Sequence, residues 1–493
     1  MSNPYFRFCR IIRLSAFYMY LWRKNISMKK NFLLFALILI NVCWLYAQTP
    51  PAFTGFLNKK NLAHASIGLK AIDLNTKKVI VSYNENQSLT PASNMKLVTT
   101  ATALETLGSR FRFETPLLYD GYIQNDTLHG NLYIKGSGDP TLGSEYNPDN
   151  KENFLKEWLN AVNRAGIRKI AGNIIALDQL FGYEGVSQKW LLEDAGNYYA
   201  PGIYGISIFD DMYRVYLQSS AIDSLTKILY MEPKINNLQF TNEVKASDDS
   251  TDNSFVSSLP FSYEVRLYGT IPANRSSFAV KGAIPDPGLF LAQYFRDYLQ
   301  KNGIAIEGKA TTYRLYPVTP TGMKLLNVIR SADLASIIQT INVESNNQYA
   351  EHLYKVLTVL DSVDIPGYWK SKGLDTDALF MYDGSGTSPQ DAVSAGFLID
   401  LLVYMNEQSG NSAAFYQSLP VAGRNGTVAS FLKNTPLAGK ARLKSGSMSN
   451  VQSYSGYIES KGKRYAVSLI INNFTGKRNE LRNNIEQLFN GLF

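Results

Sequence analysis

The chain has 493 residues, 45% hydrophobic and 18% charged, a balance that builds a sizeable core and excludes a disordered protein. Its net charge of +8 is concentrated at the start: residues 1–47 hold seven basic side chains and no acid, leaving 42 basic against 41 acidic residues beyond them. A body this close to neutral excludes a nucleic-acid binder held by bulk electrostatics.

The basic block reads as a leader. Met28-Lys29-Lys30 precedes an apolar run from Phe32 to Ile40, which continues after Asn41 through Cys43-Trp44-Leu45-Tyr46-Ala47. A positive segment, an apolar core and a small residue at the end make residues 1–47 a secretory signal peptide, with a retained N-terminal membrane anchor as the alternative. Both cysteines, Cys9 and Cys43, fall inside it. Cleavage after Ala47 therefore leaves no disulfide, thiolate metal site or cysteine nucleophile. His64, His129 and His352 stand apart with no H-x-x-x-H spacing, and no G-x-S-x-G elbow accompanies them. Neither a metal nor a cofactor is expected.

Beyond the leader, Ile67-Leu69-Ala71 and Val79-Val81-Tyr83 alternate as two strands around a turn at Asn75–Lys78. Pro91-Ala92 then leads into a helix from Ser93, with Leu97, Ala101 and Leu104 on its apolar face and Gly108 as its stop. Short strands at Asn131–Ile134 and Asn173–Leu177 open a mixed region, and the polar run Ala246–Ser254 reads as a loop. Pro285-Asp286-Pro287 marks a re-entry point, followed by a helix over Leu289–Leu299 and a strand at Gly303–Ile306. Val451–Glu459 and Arg464–Asn472 form a second hairpin. Leu481, Ile485, Leu488 and Leu492 mark a final amphipathic helix, expected to pack on the sheet, with peripheral membrane contact as the alternative. Strands at both ends imply one domain, residues 48–112 and 285–493, interrupted by an insertion over 113–284 of one or two subdomains.

Three motifs follow one another along this frame: Ser93-Asn94-Met95-Lys96, Ser345-Asn346-Asn347 and Lys444-Ser445-Gly446. S-x-x-K recurs at Ser27, Ser224, Ser430 and Ser460, and S-x-N at Ser82 and Ser409, so neither is specific alone; K-[ST]-G occurs once. The ordered set supplies acyl transfer to serine without histidine. Ser93 is the candidate nucleophile and Lys96, one helical turn on, its base. Lys96 needs a lowered pKa, which burial and a neighbouring cation, Lys444, both promote. Ser345 offers a hydroxyl to relay a proton to a leaving amine, and Asn347 a donor and an acceptor for a substrate amide. Lys444 attracts a substrate carboxylate. Gly446 lets a substrate backbone approach its strand, and the N–H groups of Ser93 and Ser447 make an oxyanion hole.

With these motifs in this order, the chain resembles the class C penicillin-binding proteins of low molecular mass, the serine D-Ala-D-Ala carboxypeptidase and endopeptidase family. The resemblance runs from about Ser66 to the C-terminus and includes Gly130–Leu142, Gln188-Lys189-Trp190, Tyr199-Ala200-Pro201, Ser345–Glu351, Asp383–Gly386 and Gly426-Thr427-Val428. It implies an α+β fold: a penicillin-binding-protein/β-lactamase-like transpeptidase domain, an antiparallel sheet with flanking helices, carrying a long inserted α+β region. It further implies a periplasmic serine peptidase that acts on peptidoglycan stem peptides through an acyl-enzyme, needs no cofactor and is inhibited covalently by β-lactams. Ser445 stands where the family usually has threonine, which keeps the hydroxyl. Thr387-Ser388-Pro389 replaces a hydrophobic residue, serine and arginine, which changes the packing of that loop. A serine β-lactamase or esterase on the same fold is one rival, against which stand the roughly 250 residues between Ser93 and Ser345. A non-catalytic peptidoglycan-binding protein is the other, against which stand the intact reactive groups.

Overall fold

The computed structural model describes residues 50–147 and 151–493, so the leader expected over 1–47 lies outside the described residues. The two ends of the described chain meet in one antiparallel sheet. Its strands are β1 (Ser66–Asp73), β2 (Val79–Tyr83), β3 (Ala441–Met448), β4 (Val451–Ser460) and β5 (Lys463–Asn472), in the spatial order β3-β4-β5-β1-β2. The β1–β2 turn is fastened by Asp73, whose Oδ1 accepts from the backbone N–H groups of Asn75 at 2.9 Å and Thr76 at 3.1 Å. Pairing of β1 with β5, Leu69 opposite Leu469, closes the domain across the whole chain.

The period of two along β5 sorts its side chains between two cores. Val467, Leu469 and Ile471 join Leu481, Ile485 and Leu488 of the final helix. Ala466 and Ile470 enter the core on the other face, together with Leu97, Ile337, Ile338, Ile341 and Phe397.

Five helices matter to the site: α1 (Met95–Leu107), α2 (Leu334–Glu344), α3 (Asn347–Lys355), α4 (Ala395–Glu407) and α5 (Arg478–Leu492). Helix α1 starts from a 3₁₀ turn at Ala92–Asn94 and ends at Gly108, whose φ of +83° suits a residue without Cβ. Asp333 caps α2 and Asn346 caps α3, each side chain accepting a backbone N–H three residues on. The short break between α2 and α3 therefore holds Ser345 in a fixed place, with left-handed φ +57° and ψ +38°. The apolar face of α5 is buried in the domain core, so this helix packs on the sheet. Among the described residues, no helix is long and apolar enough to cross a membrane.

The inserted region is larger than the sequence suggests. Strand Lys324–Arg330 pairs with Glu114–Tyr119, and Ala310–Thr312 pairs with Ile174–Leu177. The helix Pro287–Lys301 buries Leu291, Phe295 and Leu299 in the same core as Trp158 and Ile174. The boundary expected at 284/285 is therefore corrected to about residue 330. Pro285-Asp286-Pro287 is no re-entry point: Asp286 caps the inserted helix, its Oδ1 accepting from Leu289 N at 3.0 Å. The loop expected over 246–254 shrinks to 248–252, because strands Lys245–Ser247 and Asn253–Ser257 flank it.

Candidate active site

Ser93 sits on the turn that enters α1, behind Ala92 in the left-handed region at φ +48°. This conformation costs a non-glycine residue about 1–2 kcal/mol and recurs where a side chain must be aimed. Lys96 follows one turn later and is completely buried. Its Nζ lies 2.9 Å from Ser93 Oγ, 2.6 Å from Asn347 Oδ1 and 2.6 Å from the Ser385 carbonyl. The last two are acceptors only. A neutral amine spends both its N–H groups on them and turns its lone pair on the Ser93 O–H. Burial brings the Lys96 pKa down to about 7, against the opposing charges of Asp383, Glu351 and Asp391. The base that serine needs is thus available at neutral pH.

Lys444 is buried as deeply, on β3, with Nζ 2.8 Å from Ser345 Oγ and 2.8 Å from the Ser445 carbonyl. The charge effect expected between the two lysines falls on Lys444 rather than on Lys96. Burial first, then the charge of Lys96, holds Lys444 well below the usual lysine range. Strand β3 is the sheet's edge, and Leu443 N leaves the sheet to bond the Pro420 carbonyl at 3.0 Å. By the period of two, Ser445 and Ser447 also turn their N–H groups away from β4. A methyl group added at Gly446 would stand 2.9 Å from Ser93 N, so the strand passes directly beside the Ser93 backbone. The Ser445 hydroxyl pairs with Thr427 Oγ1 at 2.7 Å.

Asn347 departs from expectation. Its Oδ1 accepts from Lys96, and its Nδ2 donates to the Tyr199 carbonyl at 2.7 Å and to Thr387 Oγ1 at 3.1 Å. The amide is filled by protein partners, so in this arrangement it positions Lys96. Sequence reasoning marks Asp383–Gly386 as a family match but does not foresee that its Ser385 carbonyl holds Lys96. Asp383 organises this loop, accepting from the backbone N–H groups of Gly386 and Ser388 at 2.6 Å each. Buried Glu351 accepts from Gly384 N at 3.0 Å and Ser385 N at 2.7 Å. Burial, then the charge of Asp383, raises Glu351 to about 8; the same causes raise Asp391 to about 10. Both shifts favour the protonated carboxyls, the direction that weakens their pull on the Lys96 charge. The unusual Thr387 keeps a role, since its hydroxyl meets both Asn347 and Ser385.

The insertion reaches the residues around Lys96. Trp190 Nε1 donates to Asp383 Oδ2 at 2.7 Å, and Gln348 on α3 donates to Ser207 Oγ at 2.6 Å. His352 is buried with Nδ1 3.0 Å from the Gly138 carbonyl, a structural place rather than a catalytic one. Among the described residues, no group of three or more side chains could hold a metal ion.

Acylation of Ser93 by a labelled penicillin should fall about tenfold per pH unit below about 7, because protonated Lys96 has no lone pair to offer. A rate flat from pH 5 to 8 would contradict this. Trp190→Phe removes the indole donor to a buried carboxylate, a loss of about 1–3 kcal/mol. Acylation is expected to slow about tenfold or more as the Ser385 loop loosens, which stopped-flow labelling and a melting curve together would register.

Comparison with known proteins agrees with this architecture. A family profile, D-Ala-D-Ala carboxypeptidase 3 (S13), matches residues 53–490. A D-alanyl-D-alanine carboxypeptidase of Actinomadura sp. (strain R39) is 26% identical over 440 residues, covering 84% of this chain and 79% of the relative. A penicillin-sensitive carboxypeptidase A of Dictyostelium discoideum is 26% identical, with 83% of each chain covered. The crystal structure of penicillin binding protein 4 from Haemophilus influenzae superimposes with a TM-score of 0.74 at 22% identity, over 88% of this chain and 97% of that one. With most of its length matched by the family profile, the chain belongs to the D-Ala-D-Ala carboxypeptidase 3 (S13) family.

Proposed function

We propose that this enzyme removes terminal D-Ala from peptidoglycan stem peptides through an acyl-enzyme on Ser93. The observation that carries this reading is the buried Lys96 amine, held by two acceptors so that its lone pair meets the Ser93 hydroxyl. Ser93 attacks the penultimate D-Ala carbonyl while Lys96 takes its proton, and the N–H groups of Ser93 and Ser447 hold the oxyanion. The proton that Lys96 took then reaches the leaving amine through the hydroxyl of Ser345, which is bonded to Lys444, so the serine stays protonated and Lys96 is an amine again. Water then attacks the ester with Lys96 again as base, and the proton it takes passes to Ser93 Oγ as the ester bond breaks, which releases the shortened peptide and regenerates both the serine and the amine. Endopeptidase cleavage uses the same acylation centre and differs only in the amine that leaves. A substrate carboxylate beside Lys444 supplies the counter-ion that restores that lysine's charge. Export through the leader to the periplasm belongs to this reading, because the substrate lies there.

A labelled penicillin and a D-Ala-D-Ala pentapeptide test the proposal together. Long-lived labelling and D-Ala release are expected for the wild type and neither for Ser93→Ala. Rapid turnover of the drug would mark a β-lactamase, and no labelling of a folded wild type would mark a binding module. N-terminal sequencing of the exported protein should begin just after Ala47.

A further inference from the structure

Arg478, the first residue of α5, is a half-buried cation bound to the catalytic strand. Its Nη1 donates to Ser447 Oγ at 2.5 Å, to the Val451 carbonyl at 3.0 Å and to Gln452 Oε1 at 3.1 Å. Its Nη2 donates to the Met448 carbonyl at 2.6 Å. Gln452 passes the contact on, since its Nε2 donates to the Gly446 carbonyl at 3.1 Å. Every one of these acceptors is neutral. Among the described residues, no carboxylate forms a salt bridge with Arg478, although the chain pairs Arg214, Arg266, Arg314, Arg330 and Arg464 with carboxylates. A half-buried guanidinium without a counter-ion, placed on the residue beside the oxyanion hole, calls for an anion.

The substrate supplies one at that place. In a D-Ala-D-Ala terminus the free carboxylate hangs from the carbon next to the scissile nitrogen, a few bonds from the carbonyl oxygen that Ser447 N–H binds. Ser447 is exposed and lies on the same face of β3 as Ser445. Because Arg478 occupies a lone pair of Ser447 Oγ, the hydroxyl hydrogen points away from the guanidinium and is a stronger donor.

We propose that Arg478 is a positioning residue for substrate selection: it turns the Ser447 hydroxyl into a donor for the terminal carboxylate and adds a second positive charge there. This rests on the carboxypeptidase reading. It gives the enzyme a way to favour a leaving group with a free carboxylate that does not depend on Lys444 alone.

The test compares two depsipeptides with one acyl group, whose leaving group carries either a free carboxylate or its methyl ester. Arg478→Gln should lower kcat/KM about 10- to 100-fold for the carboxylate and less than about threefold for the methyl ester. Ser447→Ala should show the same selective loss, and the double variant should lose no more than either alone. Arg478→Lys, which keeps the charge, should recover part of the preference and covers the case in which the glutamine variant folds poorly. Equal losses on both substrates would mean that Arg478 only holds the β3–β4 turn, and would overturn the proposal, as would additive losses in the double variant. A wild type that cleaves neither substrate would instead refute the carboxypeptidase reading.

Discussion

Removal of Lys96 from water is the constraint on which the rest of the site depends. A lysine in solvent keeps its proton at neutral pH and cannot accept one from serine. Here burial brings it to about 7, and two acceptors, Asn347 Oδ1 and the Ser385 carbonyl, fix where its lone pair points. Each acceptor belongs to a different part of the fold. Asn347 begins α3, and Ser385 lies on the loop shaped by Asp383 and Glu351. A base of this kind is an assembled object, and its pKa reports on how well the assembly holds.

This dependence gives the insertion a part in holding Lys96. The Tyr199 carbonyl holds the Asn347 amide, and Trp190 holds Asp383. Gln348, one residue beyond Asn347, is tied to Ser207. Helix α3 and the Asp383 loop therefore hold Lys96, and the insertion braces both. Loosening any one of them admits water, which raises the lysine pKa and costs the enzyme its base.

The sequence carried the reacting groups because their spacing is local: Ser93 and Lys96 share a helical turn, and Ser345 and Asn347 share a helix start. The two hairpins and the final helix were legible for the same reason, through periods of two and 3.6. What was not legible acts across long sequence separations. Trp190 meets Asp383, and Arg478 meets Ser447, with nothing local to announce either pair. In sequence Asn347 reads as a substrate ligand, because an amide's composition does not say whether its partners come from the protein. The insertion boundary failed at Pro285-Asp286-Pro287, since a helix cap and a linker look alike in sequence. The apolar face of the helix that follows does not reveal which core it enters.

If burial keeps Lys96 an amine at neutral pH, its ionisation can be measured directly. In Ser93→Ala enzyme with lysine labelled at Cε, the Lys96 resonance, assigned by its loss in Lys96→Met, can be followed from pH 5 to 11. A midpoint near 7 is expected, as the lowered pKa requires. A midpoint above about 9, in the ordinary lysine range, would contradict a buried neutral base.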